Sequence, residues 1–239
     1  MKTWLRALLF NAALYGWTAI LSLVMMPTLL LPRRGVLFTV HLWLRHVAWI
    51  ERAIGGLDYK VVGWENVPEG AAIIASKHQS AWETFKLHLL FGDPAVVLKK
   101  NLVYIPIWGW YLARSGVVAI DRAKGAQALA QMLKAAREVA AEGRKLVIFP
   151  QGTRLPPDAY RPYKGGVGAL YEALNVPVVP MALNSGVFWP RNSFVKKPGT
   201  VTVEFLPPIP PGLPRAEMMK RLEDGLEAAT QRLVREANK

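Results

Sequence analysis

Short aliphatic runs alternate with helical stretches along most of this chain, and this alternation most constrains how it can fold. After Gly55 and Gly56, seven runs have the length and composition of β-strands. They cover residues 59–62, 71–75, 95–98, 117–120, 146–149, 176–182 and 200–205. Alternation of strands with helices is typical of α/β domains. We therefore predict an α/β fold with a mixed, largely parallel sheet flanked by helices.

Three helices are expected within this part of the chain. Over residues 125–142 apolar side chains recur at helical spacing, and Gly143 provides a stop. A shorter helix is expected over residues 165–174, and the last from Arg215 to the C-terminus. The proline-rich run 206–211 between them indicates an extended connector.

The N-terminal part has a different character and suggests contact with a membrane. Residues 7–32 contain no charged side chain, and about 20 apolar residues suffice for a helix to cross a bilayer. Residues 36–57 are apolar but interrupted by charges, which favours an amphipathic helix lying in the membrane interface. The two segments could instead form a hairpin that enters one leaflet, and the sequence does not choose between these arrangements.

A secretory signal is the rival interpretation of this start, because Lys2 and Arg6 precede the apolar run. No small-x-small cleavage site follows, and Pro27 and Pro32 interrupt the region where one would lie. We therefore divide the chain into a membrane-associated helical segment, residues 1–57, and an α/β domain, residues 58–239.

Charge and composition limit the function classes. The formal net charge is +13, with 30 Lys and Arg against 17 Asp and Glu, so anionic partners are expected. Nine tryptophans and a hydrophobic fraction of 52% favour an anionic membrane surface over nucleic acid as partner. With no cysteine, the chain has no thiolate nucleophile, no disulfide and no Cys-based zinc site.

Polar residues cluster where four of the predicted strands end. They are Lys77 and His78, Asp121 and Arg122, the run 151–154, and Asn184 with Ser185. In open α/β sheets ligands bind beyond the carboxyl ends of the strands. Four clusters at equivalent places predict one composite site.

The first cluster contains a candidate catalytic pair, His78 and Glu83. Histidine suits a general base near neutral pH, and a carboxylate on its second ring nitrogen can orient it and stabilise the imidazolium. Five residues along a continuous helix would leave the two side chains about 140° apart. The pair therefore requires His78 in a loop or at a helix cap and Glu83 one turn inside the helix. The alternative is a surface histidine near an unrelated first-turn glutamate.

The other clusters favour an anionic ligand. Arg122 follows one strand; after another, Gln151, Gly152, Thr153 and Arg154 combine a close backbone approach with donors suited to phosphate. Lys164 precedes two glycines at a helix start, a weaker anion signal. The sequence has no Gly-x-Ser-x-Gly elbow, Walker loop or dinucleotide fingerprint. The histidine could then activate a hydroxyl of the substrate itself.

Four runs in order resemble the motifs of the glycerolipid acyltransferase family. Residues 78–83 resemble its His-x4-Asp motif, 118–122 its second, 149–154 its Phe-Pro-Glu-Gly-Thr-Arg motif and 176–180 its fourth. Two departures are Glu83 where aspartate is usual and Gln151 where glutamate is usual. Gln151 thus removes the negative charge that the family's third motif usually has at this position.

The resemblance implies transfer of an acyl chain from acyl-CoA or acyl carrier protein to lysophosphatidate (1-acyl-glycerol-3-phosphate), giving phosphatidic acid. It further implies that His78 acts as general base together with Glu83 and that no acyl-enzyme forms. The acceptor phosphate would bind to residues 122, 151–154 and 164, and no cofactor or metal would be needed. We expect the protein to lie at the cell inner membrane, with its active site facing the cytoplasm. Alternatives are another lyso-lipid or glycerol-3-phosphate as acceptor, a hydrolase acting with water, or a non-catalytic protein that binds anionic lipid.

Overall fold

A computed structural model describes residues 2–239 and contains a seven-stranded sheet. The strands are β1 (Leu57–Val62), β2 (Ala72–Ser76), β3 (Ala95–Lys99), β4 (Val118–Ile120), β5 (Lys145–Ile148), β6 (Val178–Leu183) and β7 (Gly199–Phe205). Their order across the sheet is β1-β7-β6-β2-β5-β3-β4. Every run predicted as a strand forms one, with ends that shift by one or two residues.

The sheet is parallel except at one pairing. β6 and β7 are antiparallel, whereas β2 pairs in parallel with both β5 and β6, and β3 pairs in parallel with β4 and β5. The prediction of a mixed, largely parallel sheet is thereby confirmed. The carboxyl ends of β2, β4, β5 and β6 consequently meet at one edge, which brings their four polar clusters together.

Eight α-helices flank the sheet in the described chain. They are α1 (Lys2–Val24), α2 (Arg33–Ile50), α3 (Trp82–Phe91), α4 (Trp108–Arg114), α5 (Gly125–Ala141), α6 (Gly166–Leu174), α7 (Ser185–Phe188) and α8 (Arg215–Ala237). Short 3₁₀ helices cover Met26–Leu30, Trp64–Asn66, Lys100–Tyr104 and Arg122–Lys124, and a π-helical turn covers Glu51–Gly55. The three helices expected from periodicity are α5, α6 and α8.

The two faces of the sheet bury separate cores, because neighbouring residues of a strand point to opposite sides. Ile73 of β2 packs with α5, α6 and α8, where it contacts a cluster that includes Met132, Leu170 and Leu222. Ile74 faces the other way and packs with a cluster drawn from α1, α2 and α3. The sheet is therefore the middle layer of three.

The N-terminal helices pack on the α/β part of the molecule. Phe10 and Leu14 of α1 and Val47 of α2 lie in the same buried cluster as strand residues. One side of α1 is thus covered by protein, while its other side exposes large apolar residues such as Trp4 and Tyr15. Thr3–Val24 is the one described helix long and apolar enough to cross a membrane.

Candidate active site

One cavity of about 390 Å³ opens at the edge where the four polar clusters meet. His78, Arg122, Gly152, Thr153 and Arg154 all line it. They come from the loops after β2, β4 and β5, so the parallel order of the strands creates the site. Three of the four clusters that were predicted to form one composite site therefore contribute residues to a single cavity.

His78 and Glu83 are in contact. His78 lies in the loop after β2, Glu83 lies in the first turn of α3, and His78 Nδ1 is 2.8 Å from a Glu83 carboxylate oxygen. This is the arrangement that the five-residue spacing required. The Glu83 side chain is fully buried and that of His78 is 14% exposed. The pair therefore has a dry carboxylate and a histidine ring that reaches the cavity.

The Glu83 carboxylate accepts hydrogen bonds from several directions. The same oxygen that meets His78 accepts from the backbone N–H groups of Gln79 and Ser80, each at 2.8 Å. The other oxygen accepts from the Ser185 hydroxyl at 2.7 Å. A buried carboxylate needs such donors, and the start of α3 adds a favourable dipole. Because a carboxylate only accepts, Nδ1 of His78 carries the proton, which leaves Nε2 as the acceptor.

Aromatic and backbone contacts fix the ring of His78. It stacks on Phe149, with ring centroids 3.9 Å apart and planes 19° from parallel. The His78 carbonyl accepts from the backbone N–H of Leu155 at 2.9 Å, which ties this loop to the one after β5. The two loops that carry the first and third sequence motifs thus hold each other.

Cations surround the cavity mouth. Arg122 donates to the Gly152 carbonyl at 2.5 Å, and Arg191 donates to the Arg154 carbonyl at 3.0 Å. Gly152 has φ +72°, and a side chain there would meet Arg122 and Lys164, which explains why glycine occupies this turn. With Lys99 the cavity lining has four basic residues and, among the described residues, no aspartate or glutamate. Such a lining attracts an anionic ligand.

Apolar side chains form most of the rest of the cavity. The wall is contributed by α1, α2, β3 and α4, through residues such as Leu21, Leu44, Val97, Trp108 and Leu112. Two aromatic residues of α4, Trp108 and Tyr111, are part of this wall. The cavity therefore joins a cationic mouth to an apolar interior, a combination that suits an amphipathic ligand with an anionic head.

Three of the predicted site residues lie outside the cavity lining: Glu83, which reaches it only through His78, Gln151 and Lys164. Gln151 is buried, and its side-chain nitrogen lies 3.5 Å from a carboxylate oxygen of Glu227 in α8. Lys164 is exposed and lays its aliphatic chain against Gly152. Asn184 also turns away, toward backbone groups of Thr202 and Leu233. Among residues 2–239, no cluster of three or more His, Asp or Glu side chains could hold a metal ion.

Sequence reasoning missed one residue of the site, Arg191, and the contact that another, Ser185, makes. Ser185 was noted as polar at a strand end, but its partner Glu83 lies 102 residues away in sequence. Arg191 follows α7 in a loop whose sequence has no motif to mark it. Only the folded arrangement of β6 and α7 against β2 reveals both contacts.

A family model described as acyltransferase matches residues 58–184, just over half of the chain and the part that carries the site. The chain belongs to the acyltransferase family. The resemblance inferred from the four motifs is confirmed.

Several named relatives share this family. A 1-acyl-sn-glycerol-3-phosphate acyltransferase of Pseudomonas aeruginosa is 40% identical over 204 residues, which cover 85% of this chain and 78% of the relative. A protein of the same name from Saccharomyces cerevisiae is 34% identical over 159 residues, 64% of this chain and 52% of the relative.

A solved structure has the same fold. The crystal structure of the 1-acyl-sn-glycerophosphate acyltransferase PlsC from Thermotoga maritima superposes with a TM-score of 0.76, over 98% of this chain and 99% of the other. Sequence identity is 22%, so this match speaks for the fold alone. It includes the N-terminal helices together with the sheet, because nearly the whole chain superposes.

Proposed function

We propose that this acyltransferase transfers an acyl chain from an acyl thioester to the free hydroxyl of 1-acyl-glycerol-3-phosphate, giving phosphatidic acid. One observation carries the proposal: a single cavity joins the His78–Glu83 pair, a cationic mouth free of acidic residues in the described chain, and an apolar interior. A lysophosphatidate offers a hydroxyl, a phosphate and an acyl chain to these three parts. The names of the Pseudomonas and yeast relatives support the same acceptor.

In the proposed reaction His78 acts as a general base through Nε2. It accepts the proton of the acceptor hydroxyl as that oxygen attacks the thioester carbonyl carbon. An ester C–O bond forms, the C–S bond breaks, and the proton passes from His78 to the departing thiolate. Glu83 keeps Nδ1 protonated and stabilises the imidazolium. No acyl-enzyme is required, since the substrate provides the nucleophile.

The phosphate of the acceptor is proposed to bind at the cavity mouth. Arg122 and Arg154 supply the guanidinium groups, which suit phosphate oxygens. Gly152 and Thr153 line the same wall between them. Gln151 is proposed to hold this loop in place through its contact with Glu227. Lys164, which lies against Gly152, adds positive charge beside the phosphate site.

The acyl donor and the membrane are proposed to meet the same side of the molecule. Helices α1, α2 and α4 line the apolar cavity, and α1 also exposes apolar side chains outward. Either acyl-CoA or acyl carrier protein, both anionic, suits the excess of basic residues. We place the enzyme on an anionic membrane surface, the inner membrane of the cell, with the site facing the cytoplasm.

The test is an acyl-transfer assay on the purified chain in detergent, with a panel of lyso-lipids and both donor types. We expect phosphatidic acid from lysophosphatidate, and a fall of about 10²–10⁴-fold in kcat for His78→Ala. His41→Ala removes an imidazole that bonds the Gly92 carbonyl outside the cavity lining, so it should leave turnover unchanged. Transfer to a different acceptor, release of free fatty acid, or full activity of His78→Ala would each contradict the proposal.

A second variant tests the phosphate assignment. Arg154→Ala should raise the KM for lysophosphatidate about 10- to 100-fold, because charge-assisted hydrogen bonds to phosphate contribute about 1.5–3 kcal/mol. Its KM for the acyl donor should change much less. Arg137 lies exposed on α5 away from the cavity lining, so Arg137→Ala is the matched control. Unchanged acceptor kinetics in Arg154→Ala would remove this residue from the phosphate site.

A further inference from the structure

A buried lysine stands directly before His78. The Lys77 side chain is 2% exposed, and its ammonium group lies 2.8 and 2.9 Å from the two carboxylate oxygens of Glu227 in α8. No other residue of the described chain accepts from this ammonium group. Burying a charged ammonium group without an anionic partner costs free energy. The carboxylate of Glu227 therefore fixes the position of the Lys77 side chain.

Glu227 also gathers donors from the other loops of the site. One of its oxygens accepts from the Tyr163 hydroxyl at 2.8 Å and faces the Gln151 side-chain nitrogen at 3.5 Å. Burial, with the charge of Glu227 next to it, raises the pKa of Tyr163 far above its ordinary value, so this hydroxyl remains a donor. A single carboxylate of α8 thus links the loop after β2, the loop after β5 and the segment before α6.

We infer that Glu227 is a positioning residue for His78, acting through the buried ion pair with Lys77. This inference rests on the proposed function, in which His78 is the base. The loop that carries His78 is held at both ends by carboxylates: Glu83 binds its amides on one side, and Glu227 holds Lys77 on the other. Glu227 does not line the cavity, so its effect on the reaction passes through this loop.

The neutral side chain of Gln151 is compatible with the carboxylate of Glu227 beside it. A glutamate at this position would set a second carboxylate against Glu227, at the place where the Gln151 amide now donates. With glutamine at position 151, the cluster contains one buried ammonium group, that of Lys77, and one carboxylate, that of Glu227. We further predict that the charge can be moved: the Gln151 side-chain nitrogen lies 3.5 Å from the Glu227 carboxylate, so a carboxylate at position 151 should take over the role of the one at 227.

The experiment compares Glu227→Gln, the double variant Glu227→Gln with Gln151→Glu, and the control Glu223→Gln. Glu223 lies one turn earlier on α8 and accepts from the Tyr160 hydroxyl at the surface, so it matches Glu227 in residue type, helix and kind of partner. We expect Glu227→Gln to lower kcat at least tenfold with KM for lysophosphatidate changed less than twofold. The double variant should recover most of that loss, and Glu223→Gln should match the parent.

Two outcomes would overturn the inference. One is a Glu227→Gln variant no more impaired than Glu223→Gln; the other is a loss of kcat that the carboxylate at position 151 does not restore, which would make Glu227 merely structural. If Glu227→Gln alone does not fold, the double variant decides: a folded, active double variant supports the inference, and an inactive or unfolded one overturns it.

A readout independent of turnover separates this inference from the proposed function. The Gln79 and Ser80 amides are protected by Glu83, so hydrogen exchange of a peptide over residues 76–83 reports the order of the loop. Exchange there should rise several-fold in Glu227→Gln and return toward the parent rate in the double variant. An inactive parent with this exchange pattern would refute the proposed function only; an active parent without it would refute the role of Glu227.

Discussion

At the scale of single residues, the length of the Glu83 side chain determines which groups of the site its carboxylate can contact. Its carboxylate serves His78, two backbone amides and Ser185 at once, at 2.7 to 2.8 Å. These partners come from the loop after β2 and from the start of α7, so the carboxylate bridges two strands' ends. A shorter acid at this position could not meet all of them without movement of the backbone.

Glu83→Asp tests this requirement. Aspartate keeps the charge but is one methylene shorter, so it gives up either the His78 or the Ser185 contact. We expect kcat to fall at least about tenfold, within the range attributed to general-base catalysis. The KM for lysophosphatidate should change little, because the cations of the mouth are untouched. The measurement is steady-state kinetics at saturating acyl donor.

The control for this variant is Glu65→Asp, the same change at an exposed residue of a 3₁₀ turn. It should behave as the parent does. Parent-like turnover in Glu83→Asp would show that the extra methylene is not needed here, despite the aspartate usual at this place in the family motif.

Contacts within the site could be predicted from the sequence only between residues that lie close together along the chain. His78 and Glu83 lie five residues apart, so their geometry followed from the loop and the first helical turn. Lys77 and Glu227 are 150 residues apart, and nothing in either local sequence indicates that they pair. The same holds for Ser185. Contacts of this kind depend on the order of strands in the sheet, which the sequence of one chain does not reveal.

At the scale of elements, α3 carries the Glu83 carboxylate in its first turn and a buried histidine in its last turn. His88 lies in the last turn of α3, and its ring faces His41 of α2 with centroids 6.0 Å apart. Burial lowers the pKa of His88 from 6.5 to about 4, although a hydrogen bond to the Gly92 carbonyl raises it slightly. The nearby Asp93 and Arg144 shift the His88 pKa in opposite directions.

This shift predicts an acid-sensitive α3. The unfolded chain protonates His88 below about pH 6.5, whereas the folded chain does so only near pH 4, so stability falls as the pH drops through that window. At pH 5 the loss from this residue is about 2 kcal/mol. His88→Gln cannot ionise, so its Tm in detergent should fall less between pH 7 and pH 5 than that of the parent.

The comparison variant is His46→Gln, which removes a histidine of α2 outside the cavity lining. Its Tm should depend on pH as the parent's does. An equal pH dependence of Tm in His88→Gln and the parent would show that His88 is not the group that destabilises the fold in acid.

Elements were predicted best where the residue pattern is regular. The seven strands are short aliphatic runs, and α5 and α8 have apolar residues at helical spacing, so each stands out locally. The short helix α4 was not predicted, because its aromatic residues follow Pro106 and a 3₁₀ turn rather than a long periodic run. It nevertheless forms part of the cavity wall, so the apolar half of the site could not be assigned from sequence.

At the scale of the whole molecule, the apolar exterior and the apolar cavity are built from the same elements. Helix α1 buries Phe10 and Leu14 against the sheet, contributes Leu21 to the cavity and exposes Leu5, Leu8 and Leu9. A soluble helix normally presents polar residues on its outer face. Together with a net charge of +13, this supports the proposed placement of the helical side against an anionic bilayer.

The prediction that follows concerns binding of the full chain to vesicles that contain anionic lipid. Replacing Leu5, Leu8 and Leu9 by serine should weaken binding about 100-fold, because each exposed leucine contributes about 1 kcal/mol when lipid covers it. The Tm in detergent should stay near the parent value, since these side chains lie outside the core. Leu129→Ser on α5 removes an exposed leucine from the opposite layer and should not affect binding. Equal vesicle binding by the triple variant and the parent would mean that α1 does not face the lipid.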